Sequence, residues 1–232
     1  MSRHFVFSFK QPSTLLTGLV SYWKMDETSG NRADSADSNT LVDNNTVTSG
    51  TGIINNAASF NRTNNEYFTR ADSNLSYNST NGRTWAGWIN PTSSASSYPM
   101  ILTRKGASRE WEIFLNGGNF LFWWNGGSNV ILKTLNLDSG WHFFVVTAIG
   151  QGGGSVTTLD FDDSGSPASG TVPGSLNNDA SATTLIGQYN TATDPDGSYN
   201  GLIDEVGIWD KVLSAAEQTE LYNSGAGKTY PF

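Results

Sequence analysis

Thr84-Trp85-Ala86-Gly87-Trp88-Ile89 is the stretch on which the fold turns. Successive side chains of a strand point to opposite faces, so Trp85, Gly87 and Ile89 share one face while Ala86 and Trp88 share the other. Both faces are apolar. A strand that is apolar on both sides is covered on both sides, which places this one centrally in a sheet and not at its edge.

Working outward, short apolar segments recur at intervals of about 8 to 12 residues with polar loops between them, the pattern of a β-sandwich. Strands are expected over 19–25, 57–60, 67–70, 100–104, 110–115, 119–124, 141–148, 156–161, 183–186 and 202–209. Asn116-Gly117-Gly118-Asn119 reads as a hairpin turn. The Asp-, Asn- and Ser-rich segment 26–52 reads as a long loop. Ser214-Ala-Ala-Glu217 is a capping box and predicts one short C-terminal helix, with Gly225 as its left-handed stop. No repeat or linker divides residues 18–226.

Composition agrees. Aromatic residues make up 12% of the 232 positions and hydrophobic ones 37%, ample for a single core, while 25 Gly and only 15% charged residues suit many turns. With 13 basic and 21 acidic residues the formal charge is −8, which offers no broad positive field to a phosphate backbone, so no nucleic-acid partner is expected. Cysteine is absent, which excludes disulfides, thiolate zinc sites and a thiol nucleophile. No run approaches the roughly 18 apolar residues that span a bilayer, so membrane insertion is not expected.

The two ends read differently. Residues 1–17 form an N-terminal arm with Phe5, Phe7 and Phe9 on one edge, either an added edge strand or an assembly contact. That start lacks a secretory core of about 7 to 15 apolar residues. Residues 227–232 read as an appended tail that could dock on a neighbour.

Four segments taken in order resemble the laminin-G-like branch of the concanavalin A-like lectin and glucanase fold. They are Leu19-Val-Ser-Tyr-Trp-Lys-Met-Asp26-Glu27-Thr-Ser-Gly30; Ala58-Ser-Phe60 followed by Glu66-Tyr-Phe-Thr69 and Thr84-Trp-Ala-Gly-Trp88-Ile-Asn-Pro91; Gly140-Trp141-His142-Phe-Phe-Val-Val-Thr147; and Tyr199-Asn-Gly201-Leu-Ile-Asp204-Glu205-Val-Gly-Ile-Trp209 running into Leu213-Ser-Ala-Ala-Glu217. The resemblance implies an all-β, two-sheet antiparallel jelly-roll β-sandwich. It also implies a non-catalytic module that binds a glycan or a surface protein in adhesion, often with one Ca2+. In place of the family's Tyr-Val-Asp-Gly turn this chain has Asp160-Phe-Asp162-Asp163-Ser-Gly165.

Retaining glucanases of this fold carry Glu-x-Asp-x-Glu, setting two carboxyls about 5 Å apart. Only Glu110-Trp111-Glu112 comes near it, so no catalytic residues are assigned. His4 and His142 have no triad partners in sequence. For calcium, which takes about six to eight oxygens, the resemblance points to Asp26 and Asp204, with Asn65 able to add a carbonyl. Asp194-Pro-Asp196-Gly197 reads as a turn.

For a glycan, aromatic faces beside polar loops are the feature to seek. Trp123-Trp124-Asn125-Gly126-Gly127-Ser128-Asn129 fits best, with Trp124, Asn125 and Asn129 as contacts and Tyr98 and Tyr189 as further candidates. The competing reading is a structural virion protein, a phage capsid decoration or fibre subunit. In that reading the fold is a display platform, and the Phe5, Phe7 and Phe9 arm contacts neighbouring subunits or a capsid or tail protein. Isolated modules of this family occur in tailed phages, so the resemblance implies a virion surface or another extracellular surface.

Overall fold

The computed structural model describes residues 13–71, 73–78, 80–92, 98–126, 129–134, 140–162, 164–179, 181–189 and 197–232, without the side chains of 73, 129, 130 and 132. Phe5, Phe7 and Phe9, and with them the arm's edge, lie outside the described residues, as do His4 and the 194–196 part of the Asp-Pro-Asp-Gly turn.

Among the described residues there are fifteen strands, β1 (Leu19–Trp23), β2 (Val42–Asn44), β3 (Thr48–Thr51), β4 (Asn56–Phe60), β5 (Tyr67–Ala71), β6 (Arg83–Pro91), β7 (Met100–Lys105), β8 (Arg109–Asn116), β9 (Asn119–Trp124), β10 (Asn129–Thr134), β11 (His142–Ile149), β12 (Val156–Phe161), β13 (Ala168–Gly170), β14 (Thr183–Ile186) and β15 (Gly201–Trp209). One α-helix, α1 (Ala215–Tyr222), follows. They build two antiparallel sheets. The eight-stranded sheet runs β13-β12-β11-β6-β15-β4-β3, with β1 pairing the second half of β15, and the seven-stranded sheet runs β10-β9-β8-β7-β14-β5-β2. This is the expected jelly-roll sandwich.

β6 is central, between β11 and β15. Its Trp85 and Ile89 point into the space between the sheets, where Trp85 meets Trp111, Phe122 and Trp124 at ring distances of 5.1, 5.4 and 6.1 Å. Gly87 leaves room there: a Cβ would lie 3.1 Å from the Phe144 ring. Fully burying a large apolar side chain of this kind contributes about 1.5–3 kcal/mol.

Ala86 and Trp88 face outward, and the chain covers them itself. Trp88 stacks on Tyr222 of α1 at 5.7 Å and packs on Phe143, within a cluster that holds Leu15, Tyr22, Trp209, Leu213 and Leu221. The helix is set by its cap. Ser214 Oγ accepts from the Glu217 amide, and Glu217 Oε2 accepts from the Ser214 amide at 2.9 Å. The left-handed stop falls on Asn223 (φ 47°), two residues before the expected Gly225.

At both ends the described residues pack on the body. Residues 13–17 belong to the body, since Leu15 is buried, its carbonyl accepts from Trp209 Nε1 at 2.7 Å, and Thr14 Oγ1 donates to Glu217. The tail also folds back. Tyr230 stacks on Tyr22 at 5.1 Å and donates to the Ser35 carbonyl, while Phe232 sits edge-on to Tyr22. Of the four strands the sequence reading leaves as loop, β2, β3 and β13 lie at sheet ends and are three or four residues long. Short edge strands of this kind have too few alternating positions to show a period. The fourth, β10, carries the apolar run Val130-Ile131-Leu132 and also lies at an end.

Candidate functional site

The seven-stranded sheet carries a second aromatic group on its outer face. In β9 the residues Phe120, Phe122 and Trp124 point inward, opposite Leu115, Ile113 and Trp111 of β8, so Leu121 and Trp123 point outward. There Trp123 stands edge-on to Phe114 at 4.7 Å and faces Tyr98 at 6.3 Å. Met100, Phe114 and Leu121 are buried beneath, while Trp123 and Tyr189 are partly buried and Tyr98 is 42% exposed. At the border, Lys105 Nζ and Arg109 Cζ lie 4.2 and 4.6 Å from the centre of the Tyr189 ring, within cation–π range. Tyr98 and Tyr189 thus meet in one patch.

Trp124 is a correction. It is 1% exposed, packs on Tyr77 at 4.9 Å and donates from Nε1 to Thr157 Oγ1 at 3.0 Å, so it cannot offer a ring face to a ligand. The outward tryptophan is Trp123, which the sequence reading did not select. The phase of the flanking Phe120 and Phe122 held the answer, because Trp124 falls on their face and Trp123 on the other. Asn125 is also engaged: its Nδ2 donates to the Ser175 carbonyl and its Oδ1 accepts from the Asn177 amide, pinning the 175–177 loop. Asn129 opens β10 opposite Trp124, and its side chain is outside the described set.

The carboxyl residues come together in part. Asp26 Oδ1 accepts from the Asn56 amide at 3.3 Å, and Asp204 Oδ2 accepts from the Ile53 and Ile54 amides at 2.9 and 3.2 Å, so both hold the 52–56 turn. A β-bulge between Asp204 and Gly207 puts Glu205 (φ 49°) beside them, where Tyr22 Oη donates to its Oε2 at 2.5 Å. Burial first, and then the Glu205 charge, push the Asp204 carboxyl up to about 8, against the pull of three backbone N–H groups. Burial pushes Glu205 to about 7, with Asp26 adding to the rise.

Asn65 is a correction to this set. It lies beyond the far end of β4, where its Oδ1 accepts from Gln188 Nε2 and Ser198 Oγ and its carbonyl accepts from Asn45 Nδ2. Among the described residues no three acidic or histidine side chains converge as a metal set. A cation here would rest on Asp26 and Asp204 with backbone oxygens. The buried, unpartnered Oε1 of Glu205, beside Asp26 and Asp204 and a single Lys24, fits such a charge.

Glu110 and Glu112 do not form a pair. A bulge shifts the β7–β8 register between Arg104 and Lys105, so the two carboxyls go to different partners. Glu110 accepts from Arg104 Nε, the Asp179 amide and Ser76 Oγ, whereas Glu112 lies 3.6 Å from Arg109 Nε. His142 is part of the frame: its Nδ1 lies 2.9 Å from Asp162 Oδ2, and its ring stacks on Phe161.

Residues 62–217 match the laminin-G-type profile of the Concanavalin A-like lectin/glucanases superfamily. The chain belongs to that superfamily. No curated protein matches the sequence. Among known structures, this superfamily member is similar to domain 4 of AbnA, a GH43 extracellular arabinanase from Geobacillus stearothermophilus, in complex with arabinotriose (TM-score 0.64, 17% identity, 90% of this chain and 98% of that one). It is also similar to the binding domain of botulinum neurotoxin DC in complex with rat synaptotagmin II (TM-score 0.69, 14% identity, 91% and 52%). A third is the binding domain of Paraclostridial Mosquitocidal Protein 1 (TM-score 0.67, 16% identity, 91% and 53%). The chain spans about half the length of the toxin domains. At these identities the likeness shows the fold. Among the described residues no helix is long and apolar enough to cross a membrane.

Proposed function

We propose that this chain is a non-catalytic recognition module that holds a glycan on the outer face of its seven-stranded sheet. Trp123 and Tyr98 would be the stacking surfaces, and Tyr189, Lys105 and Arg109 the polar border. The observation that carries this reading is the patch itself: partly exposed rings laid over a buried apolar floor, with cationic donors at one side. A sugar presents an apolar C–H face and a rim of hydroxyls, and such a surface matches both. The relatives lend support, since the arabinanase domain was captured with arabinotriose and a botulinum binding domain with SialylT. A calcium ion at Asp26 and Asp204 would serve this module by neutralising the acids that fix the 52–56 turn.

The test is a glycan array probed with the full chain. At least one glycan class is expected to bind, with Trp123→Ala weakening it by roughly tenfold, about 1.4 kcal/mol. Trp123→Phe is expected to retain most of the binding. Binding that is indifferent to Trp123 and Tyr98 would remove the outer face from the reading, and a protein partner captured in place of any glycan would replace the ligand class.

A further inference from the structure

Asn-Gly is a sequence step at which a backbone readily attacks its own side chain, because glycine has no Cβ to shield its amide nitrogen from the carboxamide beside it. The chain has four such steps: Asn81-Gly82, Asn116-Gly117, Asn125-Gly126 and Asn200-Gly201. All four lie among the described residues, and the fold treats them differently. Asn81 Nδ2 donates to Asp210 Oδ2 at 3.3 Å, and the Gly82 amide donates to the Asn78 carbonyl at 3.1 Å. Asn125 is fixed at both ends of its carboxamide, by the Ser175 carbonyl and the Asn177 amide. Asn200 is fixed likewise, its Nδ2 donating to Thr92 Oγ1 at 2.8 Å and its Oδ1 accepting from the Arg62 amide at 3.3 Å. Gly201 is enclosed in β15 between β4 and β6.

Asn116-Gly117 has none of these restraints. It closes the β8–β9 hairpin, where Asn116 pairs with Asn119 and the two-residue loop holds Gly117 and Gly118 at φ 55° and 85°. Asn119 Nδ2 donates to the Asn116 backbone carbonyl at 3.1 Å. Among the described residues neither the Asn116 carboxamide nor the Gly117 amide makes a hydrogen bond. Gly117 is exposed, and a Cβ built on it would meet nothing within 4 Å. The Asn116–Asn119 pair is also the last of its ladder, and terminal pairs open at little cost. The carboxamide is then free to swing onto the Gly117 nitrogen.

We infer that Asn116 is a self-modification site, the Asn-Gly step that this fold leaves open to spontaneous deamidation. Water is the only co-reactant. The Gly117 nitrogen gives up its proton to hydroxide and bonds to Asn116 Cγ; the Cγ–Nδ2 bond breaks, and Nδ2 takes a proton from water and leaves as ammonia. One further water opens the resulting cyclic imide. Opening at Cγ leaves an aspartyl residue at position 116, and opening at the backbone carbonyl leaves an isoaspartyl residue whose chain runs through Cβ and Cγ. Nothing is oxidised or reduced. Either product adds a negative charge to the hairpin tip, two residues from Phe114 on the same side of β8. The isoaspartyl form also adds a backbone atom to one arm of a hairpin whose two-residue loop has no slack. The site does not depend on the outer-face reading.

The test is peptide mapping by mass spectrometry of the folded full chain, incubated at mildly alkaline pH in heavy-oxygen water so that each residue converted during incubation is tagged. Asn116 is expected to convert first, roughly tenfold faster than Asn81, Asn125 and Asn200, the factor that the hydrogen bonds guarding those steps supply. An isoaspartyl methyltransferase is expected to label the same peptide. In denatured chain all four steps are expected to convert at similar rates, which would assign the selectivity to the fold. Asn116→Gln, whose longer side chain must close a larger ring, is expected to remove the early product and leave the denaturation midpoint unchanged. Conversion of Asn81, Asn125 or Asn200 as fast as Asn116 in the folded chain overturns the assignment. A folded chain that converts nowhere, while the denatured chain converts at all four steps, overturns it too, because the hairpin is then closed to the reaction.

Discussion

The two sheets of this sandwich both turn aromatic side chains outward, and the chain treats them in opposite ways. On the eight-stranded sheet, Tyr22, Trp88, Phe143 and Trp209 are sealed by α1, by residues 13–17 and by the folded-back tail. On the seven-stranded sheet, Tyr98, Trp123 and Tyr189 stay partly exposed, and α1 and the tail pack against the other sheet. Outward aromatics therefore show that a face has something to cover or to bind, and only tertiary structure says which. Among the described residues, α1, residues 13–17 and the C-terminal tail go to one face, and the proposed ligand would sit on the other.

The sharpest way to break this contrast is Trp88→Ala. Removing a buried tryptophan from under α1 takes away its stack on Tyr222 and its packing on Phe143, with an expected loss of about 3–5 kcal/mol. Equilibrium denaturation measures it. A loss below about 1 kcal/mol would mean that the helix is not a seal and that the two faces are alike.

That contrast also marks what could be read in the sequence. Trp85, Gly87 and Ile89 against Ala86 and Trp88 was enough to place β6 at the centre with both faces covered, because alternation fixes facing wherever a strand is buried. The same alternation contained the facing of Trp123, but choosing between two adjacent tryptophans needed the phase of Phe120 and Phe122. Asn65 was beyond the reach of local pattern, since its distance from Asp204 is set by the length of β4 and by its bonds to Gln188 and Ser198.

A smaller effect tests what sealing costs. The Asp204 and Glu205 carboxyls are buried on the sealed side and raised to about 8 and about 7, above unfolded values of about 3.9 and 4.3. Below about pH 4 both folded and unfolded chains hold these protons, and burying the pair costs no stability through ionisation. As pH rises toward 8 the unfolded chain ionises first, so stability is expected to fall by up to about 1.4 kcal/mol per pH unit for each proton retained, and to level off above 8. This slope belongs to chelator-treated protein. Millimolar calcium is expected to flatten it and to raise the melting temperature, since a ligand at 100 times its Kd stabilises by about 2.7 kcal/mol. An unchanged slope and melting temperature with calcium would leave Asp26 and Asp204 as caps of the 52–56 turn alone.

The smallest expected effect on stability comes from the tryptophan proposed to do the binding. Trp123 is partly exposed, its ring rests on Phe114 and Tyr98, and its buried Nε1 has no hydrogen-bond partner to lose. Trp123→Ala is therefore expected to cost about 1 kcal/mol, well below Trp88→Ala on the opposite face. A residue held for packing loses stability and function together when it is truncated. A residue held for recognition loses affinity while the fold stands, so near-native denaturation of Trp123→Ala alongside lost glycan binding separates the two faces by role. Equal destabilisation by the two alanine variants would make the outer face of the seven-stranded sheet another piece of core.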